Sequence, residues 1–143
     1  MTVVRRAAFS PFSAEQMFEL VNDVPAYPQF LPWCVAADVI TRNANQMEAR
    51  LTVQKGRFDY AFTTRNALEP HRRISLALVD GPFKRLAGEW RFDPVEDGCH
   101  VELDMEFEFK SRVLSAALTA AFKPLVDTLV DAFRKQAMQV YGG

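Results

Sequence analysis

The sequence predicts an α+β fold, a curved antiparallel sheet of seven strands wrapped around one long C-terminal helix. Three observations carry this expectation. From about Val35 onward, turn signals recur at Asn43-Ala44-Asn45, Lys55-Gly56, Glu69-Pro70-His71, Asp80-Gly81-Pro82 and Glu96-Asp97-Gly98, a spacing that suits a meander of antiparallel strands. Before the last strand ends, Val101, Leu103, Met105, Phe107 and Phe109 alternate with Glu102, Asp104, Glu106 and Glu108, so one face is apolar and the other acidic. The period then changes: Leu114, Leu118, Phe122, Leu125, Leu129 and Phe133 recur every three or four residues, which is helical.

The elements follow in order. Thr2 to Phe9 reads as a short strand. Ser13 with Gln16 three positions later forms a capping box, with Phe12 placed to staple onto Met17, so a helix starts at Ser13. It carries Met17, Phe18, Leu20 and Val21 and stops near Asn22 or Asp23, because Pro25 restricts its predecessor. Pro25, Pro28 and Pro32 make the next stretch irregular, with one short helical turn among Tyr27, Phe30, Leu31 and Trp33. Six strands follow. Their apolar sets at period two are Met47, Leu51, Val53; Phe58, Tyr60, Phe62; Ile74, Leu76, Leu78; Leu86, Trp90, Phe92; and the Val101 to Phe109 series. The final helix reads as Arg112 to about Tyr141, kinked or broken at Pro124, which cannot donate a hydrogen bond to Ala120. A one-sided sheet must cover its apolar face, and that helix, assisted by the Ser13 helix, is long enough to do so.

Composition bounds the function. A chain of 143 residues with 49% hydrophobic content fits one ordinary domain, residues 1–143, with no internal repeat or linker. Seventeen basic against eighteen acidic side chains give a net charge of −1, which lacks the footprint of a general nucleic-acid or anionic-membrane binder, so no DNA partner is expected. Two cysteines, Cys34 and Cys99, are too few for a disulfide framework and read as free thiols in a reducing cytosol. Pro11 interrupts the N-terminus before an apolar signal segment builds up, and neither Val24–Ala37 nor Val113–Phe122 approaches the ~20 apolar residues of a spanning helix.

Candidate chemistry is sparse on the inward faces. Asp59, Glu89, Arg91, Glu102, Asp104, Glu106 and Glu108 have outward parity, which leaves Tyr60, Thr64 and the indoles of Trp33 and Trp90 as inward polar groups. These orient a ligand but are poor bases at neutral pH. His71 and His100 sit beside turns without a cysteine or carboxylate at metal-ligand spacing, so no metal site is expected. Cys34 has no adjacent charge to lower its thiol pKa and reads as packing. In an arbitrary domain the aromatic inward residues would simply fill a core. The proline-rich Tyr27–Trp33 segment and the bend at Pro124 would suit the alternative, a cavity with a mouth and a roof, and the sequence alone leaves both open.

Several blocks carry a resemblance: Asn22-Asp23-Val24, then Tyr27-Pro28-Gln29-Phe30-Leu31-Pro32-Trp33-Cys34, then Phe62-Thr63-Thr64-Arg65-Asn66, then Asp80-Gly81-Pro82-Phe83-Lys84-Arg85-Leu86 with Gly88 and Trp90, and Phe107-Glu108-Phe109. In order, over essentially the whole chain, they resemble the bacterial RatA and mitochondrial coenzyme Q-binding proteins of the START-like, or polyketide cyclase/dehydrase-like, superfamily. The resemblance implies a helix-grip (START/Bet v 1-like) fold and a non-enzymatic protein. It would hold ubiquinone in an internal cavity as a carrier that supports respiratory electron transport, with no cofactor required. The expected lining is Phe30, Leu31, Trp33, Leu51, Val53, Tyr60, Phe62, Leu76, Leu78, Trp90, Leu103, Met105, Phe107, Phe122, Leu125, Leu129 and Phe133, with Tyr60, Trp33 and Trp90 at the head group. It also implies, as alternatives, a toxin that binds the large ribosomal subunit and blocks subunit association, through Arg72, Arg73, Lys84 and Arg85, and a cyclase-like enzyme, for which Asp59 or Glu89 would have to face inward. The expected location is the bacterial cytoplasm, at the periphery of the inner membrane, with Phe30 and Leu31 suited to transient membrane contact.

Overall fold

The structure, a computed structural model, describes residues 1–142. The chain runs through β1 (Thr2–Ser10), α1 (Ala14–Asn22), a 3-10 segment (Val24–Gln29), β2 (Cys34–Arg42), β3 (Gln46–Lys55), β4 (Phe58–Glu69), β5 (Arg73–Asp80), β6 (Phe83–Val95), β7 (Gly98–Phe109), α2 (Ser115–Asp127) and α3 (Leu129–Tyr141). Each of the five turn signals closes a hairpin. The strands form one antiparallel sheet in the order β1-β7-β6-β5-β4-β3-β2, in which β1 reaches past the meander to pair with β7. Register shifts in β2, between Thr63 and Thr64, and between Phe83 and Arg85 bend the strands, which curls the sheet around its apolar side.

The first helix forms as its sequence dictates. The Ser13 hydroxyl accepts from the Gln16 amide at 3.0 Å while the Ser13 amide donates to Gln16 Oε1 at 2.9 Å. The C-terminal helix differs from expectation at two points. It begins at Ser115 rather than Arg112, and its break falls at Thr128, not at Pro124. Pro124 forfeits one hydrogen bond but leaves the turn intact. At Thr128 the hydroxyl donates to the carbonyls of Pro124 and Leu125, each at 3.1 Å, competing with the helical ladder until the Ala132 amide bonds Thr128 O and restarts it.

Both helices cover the concave face and are tied to its edge strand β1 and to α1. Arg6 pairs with Asp127 at 2.6 Å, Arg134 Nε donates to Phe9 O at 3.0 Å, and the Tyr141 hydroxyl donates to Gln16 O at 3.1 Å. Under α2, the Phe122 ring packs against Tyr60, Phe62, Phe83, Phe107 and Phe109 with centroids 4.9–6.5 Å away. On the convex face the acidic stripe is largely paired: Arg91 bonds Glu102 at 2.9 Å and Asp104 at 3.0 Å, and Arg73 bonds Glu89 at 2.7 Å. No helix among the described residues is long and apolar enough to cross a membrane.

Candidate functional site: an apolar cavity beneath the C-terminal helices

Between the concave face and the helices the packing leaves a cavity in which the centre of a water-sized sphere has about 80 Å³ to move. One water needs roughly 10–15 Å³ of such space, so the cavity accommodates a molecule on the scale of a single ring. Its floor is strand residues of one parity: Leu51 of β3, Phe62, Thr64 and Asn66 of β4, Ile74 and Leu76 of β5, Leu86 and Trp90 of β6, and Met105 of β7. Phe122, Leu125 and Val126 of α2 with Leu129 and Phe133 of α3 roof it. Val21 and Asn22 at the end of α1, with Val24, Tyr27 and Trp33, close one side. Trp33, Leu51 and Leu129 are only half-buried, whereas Ile74, Trp90, Phe122 and Phe133 are fully enclosed.

Of the residues expected to line it, Trp33, Leu51, Phe62, Leu76, Trp90, Met105, Phe122, Leu125, Leu129 and Phe133 surround this space. The other expected residues stand elsewhere. Tyr60 lies outside the cavity lining in the aromatic cluster, 6.0 Å from Phe109 and 6.3 Å from Phe83, and Phe107 packs there on Phe122. Val53 and Leu103 have the right parity but are consumed by the core on either side, and Leu78 lies past the cavity toward the end of β5. Leu31 is 2% exposed, so it offers nothing to a membrane; Phe30 packs on Phe133 and lines an outer groove along α3.

Three polar groups were harder to foresee. Asn66 continues the Phe62, Thr64 parity of β4 and is buried, receiving the Thr64 hydroxyl at 2.8 Å. Asn22 ends α1, and its Oδ1 is buried with no partner. Tyr27 fixes the wall by donating its hydroxyl to Val21 O, and burial, with Cys34 and Asp23 nearby, pushes its pKa up. Strand parity alone would have identified Asn66, whereas Asn22 depends on where α1 meets the sheet.

The lining is apolar apart from a few hydroxyl, amide and indole groups. Among the described residues it includes no carboxylate, histidine, lysine or cysteine. Asp59 is exposed and bonds Gln54 at 3.2 Å, and Glu89 lies outside with Arg73, so neither faces inward. Burial pushes the thiols of Cys34 and Cys99 up to about 11, which keeps both protonated and unreactive near neutral pH. One departure concerns metals: cross-strand register brings Asp93, His100 and Glu102 within 4.8 Å of one another, a grouping that sequence spacing did not reveal. Arg91 already neutralises Glu102 there.

The basic residues also regroup. Arg72 and Arg73 lie at the β4–β5 turn, at the opposite end of the sheet from Lys84 and Arg85, so those four do not make one patch. At the far end the β3–β4 hairpin, the start of β6 and the end of β7 collect Lys55, Arg57, Lys84, Arg85, Lys110 and Arg112, while the Lys110 amide donates to Pro82 O at 2.8 Å.

The chain is similar to known proteins in sequence and in fold. The family model described as polyketide cyclase / dehydrase and lipid transport matches residues 10–134. The chain is 46% identical over 143 residues, 99% of each chain, to a Vibrio cholerae protein named ribosome association toxin RatA. It is 32% identical over 136 residues, 92% of this chain and 56% of the relative, to the Xenopus laevis coenzyme Q-binding protein COQ10 homolog B, mitochondrial. Among solved structures, an 18 kDa protein of Caulobacter crescentus superposes with a TM-score of 0.74 at 33% identity, covering 100% of both chains. The ZhuI aromatase/cyclase of Streptomyces superposes at 0.85 with 17% identity, covering 99% of this chain and 98% of that one, a likeness of fold.

Proposed function

Because the chain belongs to the polyketide cyclase / dehydrase and lipid transport family, we propose that its cavity holds the ring of a ubiquinone-like isoprenoid quinone and carries it without transforming it. The observation that supports this reading is the enclosed apolar space with hydrogen-bonding amides but no acid, base or thiolate. Burying about 150 Å² of ring and first isoprene surface yields about 4 kcal/mol before the cost of immobilisation. A fully enclosed drug-sized ligand needs roughly 300–1,000 Å³. The remaining isoprenoid tail therefore leaves past the half-buried Trp33, Leu51 and Leu129. In this role the protein works in the cytoplasm and meets the inner membrane only to exchange its cargo.

Organic extraction of the purified protein is expected to release quinone, and decyl-ubiquinone is expected to bind the emptied protein. Leu129→Trp plugs the rim at the half-buried side, where there is room to absorb the larger ring, and should weaken binding at least tenfold with little change in melting temperature. An extract without quinone, together with a protein indifferent to added decyl-ubiquinone, would defeat the proposal.

A second reading is favoured by the relatives named ribosome association toxins and by the basic end of the sheet. There, six basic side chains lie at one end of the sheet in a chain whose net charge is −1; Lys84 is paired with Glu108 at 3.6 Å, which leaves five to make phosphate contacts. Reversing Lys84, Arg85, Lys110 and Arg112 to Glu should abolish cosedimentation with large ribosomal subunits while leaving decyl-ubiquinone binding unchanged. Cosedimentation that survives the reversal would remove this surface from consideration.

A further inference from the structure

The hydrogen-bonding groups of the cavity lining are unbalanced. Asn22 Oδ1 is buried and accepts no hydrogen bond, and Asn22 is one of the residues around a space otherwise walled by Trp33, Phe62, Trp90 and Phe122. On β4 the Thr64 hydroxyl has spent its proton on Asn66 Oδ1 at 2.8 Å, so Thr64 has only lone pairs left to offer. The Asn66 amide nitrogen remains a donor. Two acceptors and one donor therefore await a ligand in an apolar enclosure, where an unpaired polar group is most costly.

We propose that Asn22 Oδ1 receives a ligand hydroxyl, so that the cavity selects a hydroquinone or phenol over the corresponding quinone. The inference rests on the proposed quinone-carrier function and specifies the redox form of the cargo. A hydroquinone O–H donates to Asn22, and an ether or hydroxyl oxygen beside it accepts from the Asn66 amide. An oxidised quinone offers only acceptors: its carbonyl leaves Asn22 Oδ1 unpaired and places two oxygens against each other. Sites built to hydrogen-bond a hydroxyl reject analogues that lack it, because their own buried group is left without a partner.

Trp33 and Trp90 both line the cavity, so their fluorescence reports occupancy. Anaerobic titration with decyl-ubiquinol and decyl-ubiquinone is expected to show the quinol bound at least tenfold more tightly. In Asn22→Leu, which keeps the branched shape and removes the acceptor, quinol affinity should fall more than quinone affinity, so that the preference drops to about twofold or less, with circular dichroism checking that the variant is folded. Equal affinities, or tighter binding of the quinone, would overturn the selection while leaving the carrier function standing. A quinol preference that persists in Asn22→Leu would overturn the assignment to Asn22. Failure of both ligands to bind would overturn the selection and the carrier function together.

Discussion

Phe122→Ala is expected to lower the melting temperature by about 10–15 °C, because the ring is the shared neighbour of five aromatic side chains and of the cavity. Truncating a buried phenylalanine costs about 3–5 kcal/mol, and a chain of this length loses roughly 3 °C per kcal/mol. The site has little freedom to collapse. Phe83 and Phe109 are already stacked at 4.4 Å, and Phe107 is wedged between them and α2. The lost ring would therefore add to the cavity instead of being refilled. Its volume would merge with the 80 Å³ already present, and the variant, assayed below its lowered melting point, should bind decyl-ubiquinone relatively better than the tailless ring. Differential scanning calorimetry paired with fluorescence titration checks both halves. A loss below about 4 °C would mean that the cluster repacks freely and that Phe122 does not define the roof.

This dependence on a few aromatic positions explains what the sequence revealed and what it hid. Period-two alternation from Val101 to Phe109 and the turn residues between strands act locally, so they specified every hairpin of the sheet. The boundary of the C-terminal helix was less legible. Pro124 is the conspicuous breaker, yet the chain breaks at Thr128 through a hydroxyl competing for two carbonyls, an event the helical pattern does not announce. Parity identified residues facing inward but not how far the sheet curls, and curvature decides whether an inward residue meets the cavity or the packed core. Val53, Leu103 and Phe107 face inward and are fully buried in packing, while Leu51, Leu76 and Met105, of equal parity, reach the open space. Asn22 was illegible for another reason, since its place in the cavity wall depends on where the end of α1 comes to lie over the sheet.

The position of the roof depends in turn on a glycine far from the cavity. Gly98 opens β7 beside the end of β1, and a Cβ added there would stand 2.0 Å from Ser10 O and 3.0 Å from Pro11 Cα. Both are backbone atoms, so no rotamer change relieves the overlap. Gly98 is held by pairing with Val95 and its neighbour Cys99 by pairing with Ser10, which leaves the strands to separate. Gly98→Ala is expected to cost about 3 kcal/mol or more, the upper range of overpacking, measured by urea denaturation. Gly56→Ala provides the contrast: its φ of +59° strains an added side chain but nothing lies within 4 Å, so about 1–2 kcal/mol is expected. The consequence of the Gly98 change should reach the ligand. Arg6 and Phe9 of β1 anchor α2 and α3 through Asp127 and Arg134, so a displaced β1 loosens both helices above the cavity. Hydrogen exchange in Gly98→Ala should therefore quicken in β1 and α2 together, with decyl-ubiquinone affinity falling alongside. Faster exchange confined to the β6–β7 hairpin would instead show that the roof stands independently of its edge strand.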